Sequence, residues 1–177
     1  YARYLIIIAI AINLFGCNVA NIIKMRNAND DVVPKWPANT QSIDIPTKYI
    51  GNKPFVYATV NGKQGFLFMI DTGASLSYIF DTPKAVKLNL KKEFSITMGG
   101  WGDEEDSKLF KTEISSLSLN GVEFGALSMA FLPASKTKYF LRAEEITYDG
   151  VIGHDILRHF SWTFDRPSNQ VSISKSP

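Results

Sequence analysis

The feature that most constrains this chain is a short apolar strand that ends in a carboxylate and continues into a loop of small and hydroxyl residues. The segment comprises Phe68, Met69, Ile70, Asp71, Thr72, Gly73, Ala74 and Ser75. Gly73 lets backbone amides approach the Asp71 carboxylate closely, because glycine has no side chain to block them. Thr72 and Ser75 can hydrogen-bond within the loop or to that carboxylate. A carboxylate held in this way is oriented and partly removed from water, which is how proteins adjust the pKa of a functional acid.

The residues before this loop predict a pair of β-strands that leads into it. Residues 55–60 are β-branched and aromatic, and the Asn-Gly pair at residues 61–62 is a strong hairpin signal. Residues 65–70 form the predicted return strand, and their continuous apolar character implies burial on both faces. An Asp-Thr-Gly triplet by itself also begins ordinary turns, so the two preceding strands and the following Ala-Ser make the functional interpretation more specific.

The remainder of the chain predicts further strands and short helices. Residues 81–83, Asp-Thr-Pro, offer a helix N-cap and a proline at the first helical position. Strands are predicted between residues 108 and 132, and a final hairpin joins residues 162–164 to residues 171–174. A hairpin, a buried strand, an Asp/Gly loop and a helix follow in this order in both halves, which indicates a pseudo-two-fold within one domain.

Composition excludes several classes of protein. The chain has 177 residues, of which 45% are hydrophobic and 12% aromatic, so it can bury a core and a wholly disordered chain is excluded. Nineteen Lys and Arg against seventeen Asp and Glu leave a formal charge of +2, which gives no basic field for nucleic acid. The single cysteine excludes an intramolecular disulfide framework and a zinc site built on several thiolates.

The N-terminus has the pattern of an export signal. Arg3 precedes an apolar run over residues 4–12, and Leu-Phe-Gly-Cys follows at residues 14–17. The apolar segment is short for a helix that must span about 30 Å of hydrocarbon. The end of the segment resembles the bacterial lipobox, in which the cysteine, here Cys17, is lipidated on sulfur and becomes the first mature residue. The alternative is an uncleaved membrane anchor with an incidental cysteine.

The lipobox resemblance implies a membrane-attached protein of the bacterial cell envelope that faces the periplasm. Two or more acyl chains hold a protein firmly to a bilayer. A residue other than Asp after the lipidated cysteine, here Asn18, usually accompanies the outer membrane in lipoproteins of diderm bacteria. We therefore predict a signal peptide over residues 1–16, a lipidated cysteine and flexible tether over residues 17–47, and a folded domain over residues 48–177.

From about Pro54 to Ser174 the sequence resembles the retropepsin-like aspartic proteases. The resemblance is based on residues 68–75 and on Val-Ile-Gly-His-Asp-Ile-Leu at residues 151–157, which is similar to the apolar-apolar-Gly segment before the family's C-terminal helix. It implies an all-β fold, a retropepsin-like acid protease barrel with short helices. It also implies a peptide or protein substrate and requires neither a cofactor nor a metal.

A glycine-rich turn lies between these two segments in the chain. In the retropepsin-like family, a glycine-rich hairpin tip at this place closes over the substrate as a flap. The corresponding residues here are Gly99, Gly100, Trp101 and Gly102. Trp101 could cover the cleft and exclude water. The alternative is a solvent-exposed loop with one exposed tryptophan.

The mechanism implied by the resemblance needs two aspartates. They share one proton, because like charges about 3 Å apart cannot both ionise. The ionised carboxylate activates water, and the protonated one donates to the scissile carbonyl. The chain has one Asp-Thr-Gly, and in this family the half that contains Asp149 supplies no catalytic acid. The implied enzyme is a homodimer in which each subunit contributes Asp71. Thr72 would pair across the two-fold axis, and Ser75 would orient the outer oxygen of the Asp71 carboxylate.

Two departures from the viral members weaken the dimer expectation. Leu-Ser at residues 76–77 replaces acidic residues, and His154 stands where many members have an arginine that supports the dimer. His154 and His159 lack the clustered carboxylates of a metal site, so we interpret them as surface or helix-end residues. The alternative function is a non-catalytic envelope lipoprotein that uses the same fold to bind a peptide or a partner.

Overall fold

The computed structural model describes residues 19–98, 107–134 and 147–176. Thirteen strands are found in the described residues: β1 (Ser42–Ile45), β2 (Thr47–Ile50), β3 (Lys53–Val60), β4 (Lys63–Ile70), β5 (Tyr78–Phe80), β6 (Ser95–Met98), β7 (Ser107–Ile114), β8 (Leu117–Leu119), β9 (Val122–Phe124), β10 (Leu127–Leu132), β11 (Gly150–Ile152), β12 (Phe160–Asp165) and β13 (Gln170–Lys175). Short helices are α1 (residues 19–27), α2 (Pro83–Val86) and α3 (His154–Leu157). The predicted all-β fold with short helices is confirmed.

The strands form two sheets. The larger sheet has the order β6-β7-β10-β5-β11-β4-β3-β8-β9, with β2 paired to β3, and the smaller sheet has the order β1-β13-β12. The central strands β5 and β11 are buried along their whole length, and β4 is buried over most of its second half. The loop after β4 is therefore supported on both sides by the most buried part of the sheet.

The centre of the larger sheet has the predicted pseudo-two-fold. β4 pairs in parallel with β11, and β10 pairs in parallel with β5. Exchanging β4 with β10 and β5 with β11 converts one pair into the other, and the short helices α2 and α3 follow β5 and β11 in the same way. The buried strand, loop and helix noted in both halves therefore correspond to a repeated arrangement in space, whereas the hairpin at Asn120 and Gly121 joins β8 to β9 outside it.

The local turn and cap predictions agree with the backbone. Asn61 and Gly62, between β3 and β4, have φ angles of 48° and 74°, and Asn120 and Gly121, between β8 and β9, have 47° and 93°. Positive φ at both positions is what a two-residue type I′ hairpin requires. The Thr82 hydroxyl accepts a hydrogen bond from the backbone amide of the third residue of α2 at 3.3 Å, as an N-cap does.

Residues 19–47 are part of the folded domain. Met25 in α1 is 3% exposed and belongs to a core cluster with residues of β3 and β4, and β1 pairs with β13. This corrects the predicted flexible tether for residues 19–47. The segment lacks apolar periodicity because it contributes single buried side chains, Met25, Asn29 and Ile45, instead of a repeating apolar face. Cys17 and Asn18 lie outside the described residues. Within the described ranges, the search for a helix long and apolar enough to cross a bilayer found none.

Candidate active site

Asp71 follows directly after β4 and is fixed through its backbone. Its amide donates to the carbonyl of Ile152 in β11 at 3.1 Å, and its carbonyl accepts from the amide of Ala74 at 3.2 Å. The amide of Gly73 donates to Asp71 Oδ1 at 2.9 Å. A Cβ at residue 73 would lie 3.3 Å from Oδ1, so glycine leaves room for this contact. The carboxylate is thus oriented by its own loop.

The end of β11 forms the second support of the loop. The amide of His154 donates to the carbonyl of Ala74 at 2.8 Å, and the amide of Gly153 donates to Ser77 Oγ at 3.0 Å. A Cβ on Gly153 would lie 2.4 Å from the carbonyl oxygen of Leu76, closer than real contacts allow. The two sequence segments on which the family resemblance is based are therefore in direct backbone contact.

Thr72 and Gly73 are exposed, whereas Asp71 and Ala74 are half-buried. Ser75 is exposed and lines a different cavity, beside α1 and α3. Among the described residues, the hydrogen bond to the Asp71 carboxylate comes from Gly73, and Ser75 lines the other cavity together with residues of α1. The structure does not bring Ser75 to the carboxylate that it was expected to orient.

An open cavity of about 300 Å³ lies against Asp71. Its described lining is mostly apolar and comprises Lys53, Pro54, Met69, Ile70, Asp71, Thr72 and Phe164. Asp71 is the one carboxylate among these lining residues. Phe164 reaches the cavity from β12 in the smaller sheet and is 42% exposed. The cavity can therefore receive an apolar group beside a single oriented carboxylate.

Two buried tyrosines lie within electrostatic range of Asp71. Burial, with smaller contributions from the charges of Asp155 and Asp71, raises the pKa of Tyr78 to about 12. Burial and the charge of Asp71 raise the pKa of Tyr148 as well, and its ring packs edge-on against Phe55 and Phe80. Both hydroxyls stay protonated near neutral pH, so neither adds a negative charge to the site. The sequence analysis did not identify either tyrosine, because both lie outside the two motif segments, residues 68–75 and 151–157.

Asp149, which occupies the loop related to the Asp71 loop by the internal repeat, has a different environment. It is 4% exposed and accepts hydrogen bonds from the Leu67 amide at 2.9 Å, Thr82 Oγ1 at 2.6 Å and Lys84 Nζ at 3.0 Å. These contacts join β4 to the start of α2. Because its oxygens are already bound to protein groups, Asp149 is built as a structural ion-pair partner.

The two histidines lie at opposite ends of α3. His154 is exposed, and the ring of His159 packs against Phe124 at 5.8 Å between centroids. Burial, together with the neighbouring Arg158 charge, lowers the pKa of His159. Over the described ranges, the search for three or more His, Cys, Asp or Glu side chains placed to bind a metal found none.

Several residues singled out from the sequence lie outside the described residues, among them Cys17, Asn18, Gly99, Gly100, Trp101 and Gly102. The structure therefore leaves the predicted lipidation and flap residues as sequence predictions. Asn29 and Asp155, in contrast, form a buried polar link to Ser77 that the sequence analysis did not anticipate.

Comparisons with known proteins agree with the geometry. A sequence profile of the aspartyl protease family matches residues 56–156, more than half of the chain. The chain is similar to the crystal structure of a retropepsin-like aspartic protease from Rickettsia conorii, with a TM-score of 0.52 and 18% identity, over 80% of this chain and 96% of that one. It also aligns with the EIAV protease complexed with the inhibitor HBY-793, with a TM-score of 0.38 and 19% identity, over 64% of this chain and 92% of that one. A search of curated protein sequences found no match.

Proposed function

Because this chain belongs to the aspartyl protease family and has a retropepsin-like fold, we propose that it is an endopeptidase in which Asp71 activates the water that attacks a peptide bond. The main support is the placement of Asp71, whose carboxylate is oriented by the Gly73 amide and borders an open, largely apolar cavity. An extended peptide is the substrate class that this family resemblance implies. Such a peptide binds by adding a strand, with alternate side chains entering pockets.

The number of carboxylates supports a homodimer. Of the described residues that line the cavity, Asp71 alone carries a carboxyl group. In the proposed aspartic protease mechanism, the acid and base roles need two carboxyl groups that share a proton. A second copy of the chain supplies the missing group most simply, since a two-fold axis places identical loops opposite each other.

The smaller sheet offers an edge for this pairing. Its order, β1-β13-β12, leaves β12 at the edge, paired to β13 alone among the described strands. Residues 163–165 of β12 are exposed, and the rings of Trp162 and Phe164 stack at 6.1 Å. An exposed edge with aromatic side chains is a surface that pairs with another strand. Because Phe164 also lines the Asp71 cavity, pairing β12 with its own copy would bring two such cavities together.

The chemistry of the paired site follows from proton positions. The ionised Asp71 removes a proton from water as the oxygen forms a bond to the carbonyl carbon, and the protonated Asp71 of the other copy donates to the carbonyl oxygen. When the carbon–nitrogen bond breaks, the leaving nitrogen takes a proton from the carboxyl group that gained one, and a hydroxyl of the tetrahedral intermediate gives its proton to the other carboxylate as the new carbonyl forms. Both carboxyl groups then share a single proton again.

Substitution of the acid tests this function. Asp71→Asn keeps the size of the side chain and removes the acid, so we expect peptide-library cleavage followed by mass spectrometry to fall to background. Asp31→Asn, at an exposed aspartate outside the cavity, is the matched control and should cleave as the wild type does. Equal cleavage by Asp71→Asn and wild type would contradict the proposal. Specific peptide binding without cleavage by the wild type would favour the alternative of a binding lipoprotein.

We further propose that Cys17 anchors the protein by lipid to the envelope, facing the periplasm, with the outer membrane favoured by Asn18. The support is the sequence pattern of residues 3–18. Metabolic labelling with a palmitate analogue should mark the wild type and leave Cys17→Ala unlabelled. Equal labelling of both would show that Cys17 is not the lipidated residue.

A further inference from the structure

We propose that Asn29, in the N-terminal segment of residues 19–47, is a positioning residue for the Asp71 loop and acts through Asp155 and Ser77. The inference rests on the proposed function, because it concerns the geometry of the same acid. All three side chains are buried, with exposed fractions of 0% for Asn29, 3% for Asp155 and 0% for Ser77. A buried series of hydrogen-bonded side chains is sensitive to the loss of any member, because water does not replace the missing partner.

The orientation of the Asn29 amide is determined by its neighbours. Its Oδ1 accepts from the backbone amide of Ser128 in β10 at 2.9 Å, and its Nδ2 donates to the carbonyl of the same residue at 2.9 Å. A backbone amide can only donate, so Oδ1 must face it and Nδ2 must lie on the other side. Nδ2 also donates to Asp155 Oδ2 at 3.0 Å. Asn29 thus joins the N-terminal segment to β10 and α3 at once.

Asp155 transmits this contact to the Asp71 loop. Its Oδ1 accepts from the Ser77 hydroxyl at 2.6 Å, and that hydroxyl accepts in turn from the Gly153 amide at 3.0 Å. While Asp155 is ionised, each of these hydrogen bonds has one possible direction. Burial raises the pKa of Asp155, and the hydrogen bonds from Ser77 and Asn29 act against that rise. Without Asn29, the buried Asp155 Oδ2 loses its side-chain donor.

The last step connects these buried hydrogen bonds to Asp71 itself. Gly153 lies between two residues that bind the loop directly: Ile152, whose carbonyl accepts from the Asp71 amide, and His154, whose amide donates to Ala74. The space at Gly153 is too small for even a Cβ. A shift of Ser77 or Gly153 is therefore passed to Asp71, and a misplacement of about 1 Å in a catalytic group costs on the order of 100-fold in rate.

A neighbouring contact provides a matched control. Arg158 Nη2 donates to Asp30 Oδ1 at 2.6 Å, which also ties the N-terminal segment to the end of α3. This ion pair is partly exposed, and its hydrogen bond involves neither Asp155 nor Ser77. Exposed ion pairs contribute little to stability. Asp30→Asn therefore removes an attachment of the same segment while it leaves the buried chain intact.

The experiment compares full-length Asn29→Ala, Asn29→Asp and Asp30→Asn with the wild type. Two kinds of measurement are made on folded protein. Peptide cleavage gives kcat and KM, and NMR gives the amide chemical shifts of Gly73 and Gly153. We expect Asn29→Ala to lower kcat by at least about tenfold with KM within about twofold, because the acid and not the peptide site is displaced. Both glycine amides should shift. Asn29→Asp should lower kcat further, since it places an acceptor against Asp155, whereas Asp30→Asn should leave kcat and both shifts unchanged.

A second variant keeps the test decisive if Asn29→Ala does not fold. Ser77→Ala removes the other side-chain donor to Asp155 with little change in packing and should give the same kcat loss and shifts. Where both single variants fold, the double variant should lose less kcat than the two single effects combined predict, because both substitutions break the same series of buried hydrogen bonds. Wild-type kcat and wild-type shifts in folded Asn29→Ala, or in folded Ser77→Ala, would overturn the inference. If the wild type cleaves no peptide, the proposed function fails, and the shifts of Gly73 and Gly153 still decide whether Asn29 positions the loop.

Discussion

At the scale of single residues, the Asp71 loop depends on two glycines. Gly73 places its amide against the Asp71 carboxylate, and Gly153 lies where a Cβ would meet the Leu76 carbonyl oxygen. Each glycine therefore allows a close contact that a side chain would obstruct.

Gly153 gives the sharpest stability prediction at this scale. Gly153→Ala forces a methyl group to within 2.4 Å of the Leu76 carbonyl oxygen, and backbone atoms cannot move aside cheaply. We expect a loss of about 1–3 kcal/mol in the free energy of unfolding, the usual cost of overpacking. Gly125→Ala is the control, because a Cβ there meets no atom within 4 Å. Urea denaturation of both variants measures the difference, and equal midpoints would contradict the tight contact.

The pKa of Tyr78 predicts a loss of stability at alkaline pH. Burial raises this pKa from 10.0 to about 12, so the folded state keeps its proton after the unfolded state has begun to lose it. The stabilising contribution is complete below pH 10 and is lost as the pH rises toward 12, at about 1.4 kcal/mol per unit. Tyr78→Phe should therefore show a smaller fall in the free energy of unfolding between pH 9.5 and pH 11.5. Tyr57→Phe, at an exposed position, should follow the wild type, and three parallel profiles would refute the assignment.

The roles of some of these residues were predictable from the sequence, and those of others were not. Gly73 and its contact with Asp71 were predictable, because the two residues are neighbours in the loop and glycine has one obvious use beside a carboxylate. The role of Asn29 was not, because its partner Asp155 is 126 positions away and nothing near Asn29 in the sequence indicates burial. The surroundings of Tyr148 were not predictable either, because the rings that pack against it come from β3 and β5.

At the scale of elements, two buried polar links hold the paired halves together. Before β5, the Ser77 hydroxyl joins Asp155 of α3 to the chain around Gly153; before β11, Asp149 binds Thr82 at the N-cap of α2. In the first link, the loop supplies the Ser77 hydroxyl and the helix supplies the Asp155 carboxylate. In the second link, the loop supplies the Asp149 carboxylate and the helix N-cap supplies the Thr82 hydroxyl. Strands and Asn-Gly turns were predictable from local periodicity and backbone preference. The role of α1 and β1 was not, because their folding depends on contacts with elements far along the chain.

The edge of β12 that has no partner among the described strands predicts how subunits associate. Phe164→Lys places a charge on the exposed face of this edge strand, a substitution that prevents edge-to-edge pairing. We expect the variant to be monomeric by sedimentation velocity at concentrations where the wild type is a dimer. Val33→Lys, at a position that is 77% exposed and outside the Asp71 cavity, should remain dimeric. A dimeric Phe164→Lys would exclude β12 as the contact, whatever its cleavage activity.

At the scale of the whole molecule, the proposed lipid anchor would help two copies to form the proposed active site. The described residues place one carboxylate at the cavity, so the proposed function depends on encounters between two copies. Confinement to one membrane surface raises the local concentration of subunits and favours such encounters. The family and fold were predictable from two motifs. The state of assembly was not, since it depends on a surface whose partner is another copy of the same chain.

Mixing of subunits tests this shared site most directly. If each active site needs Asp71 from two copies, random pairing of wild type with an equal amount of Asp71→Asn should reduce the cleavage rate to about half that of the wild type alone. A tenfold excess of the variant should reduce it to about one tenth, because nearly every wild-type subunit then has an inactive partner. Phe164→Lys combined with Asp71→Asn is the control, since a subunit unable to pair should not inhibit. A cleavage rate that stays constant as Asp71→Asn is added, with exchange verified by mass spectrometry of labelled subunits, would mean that a single copy holds a complete site.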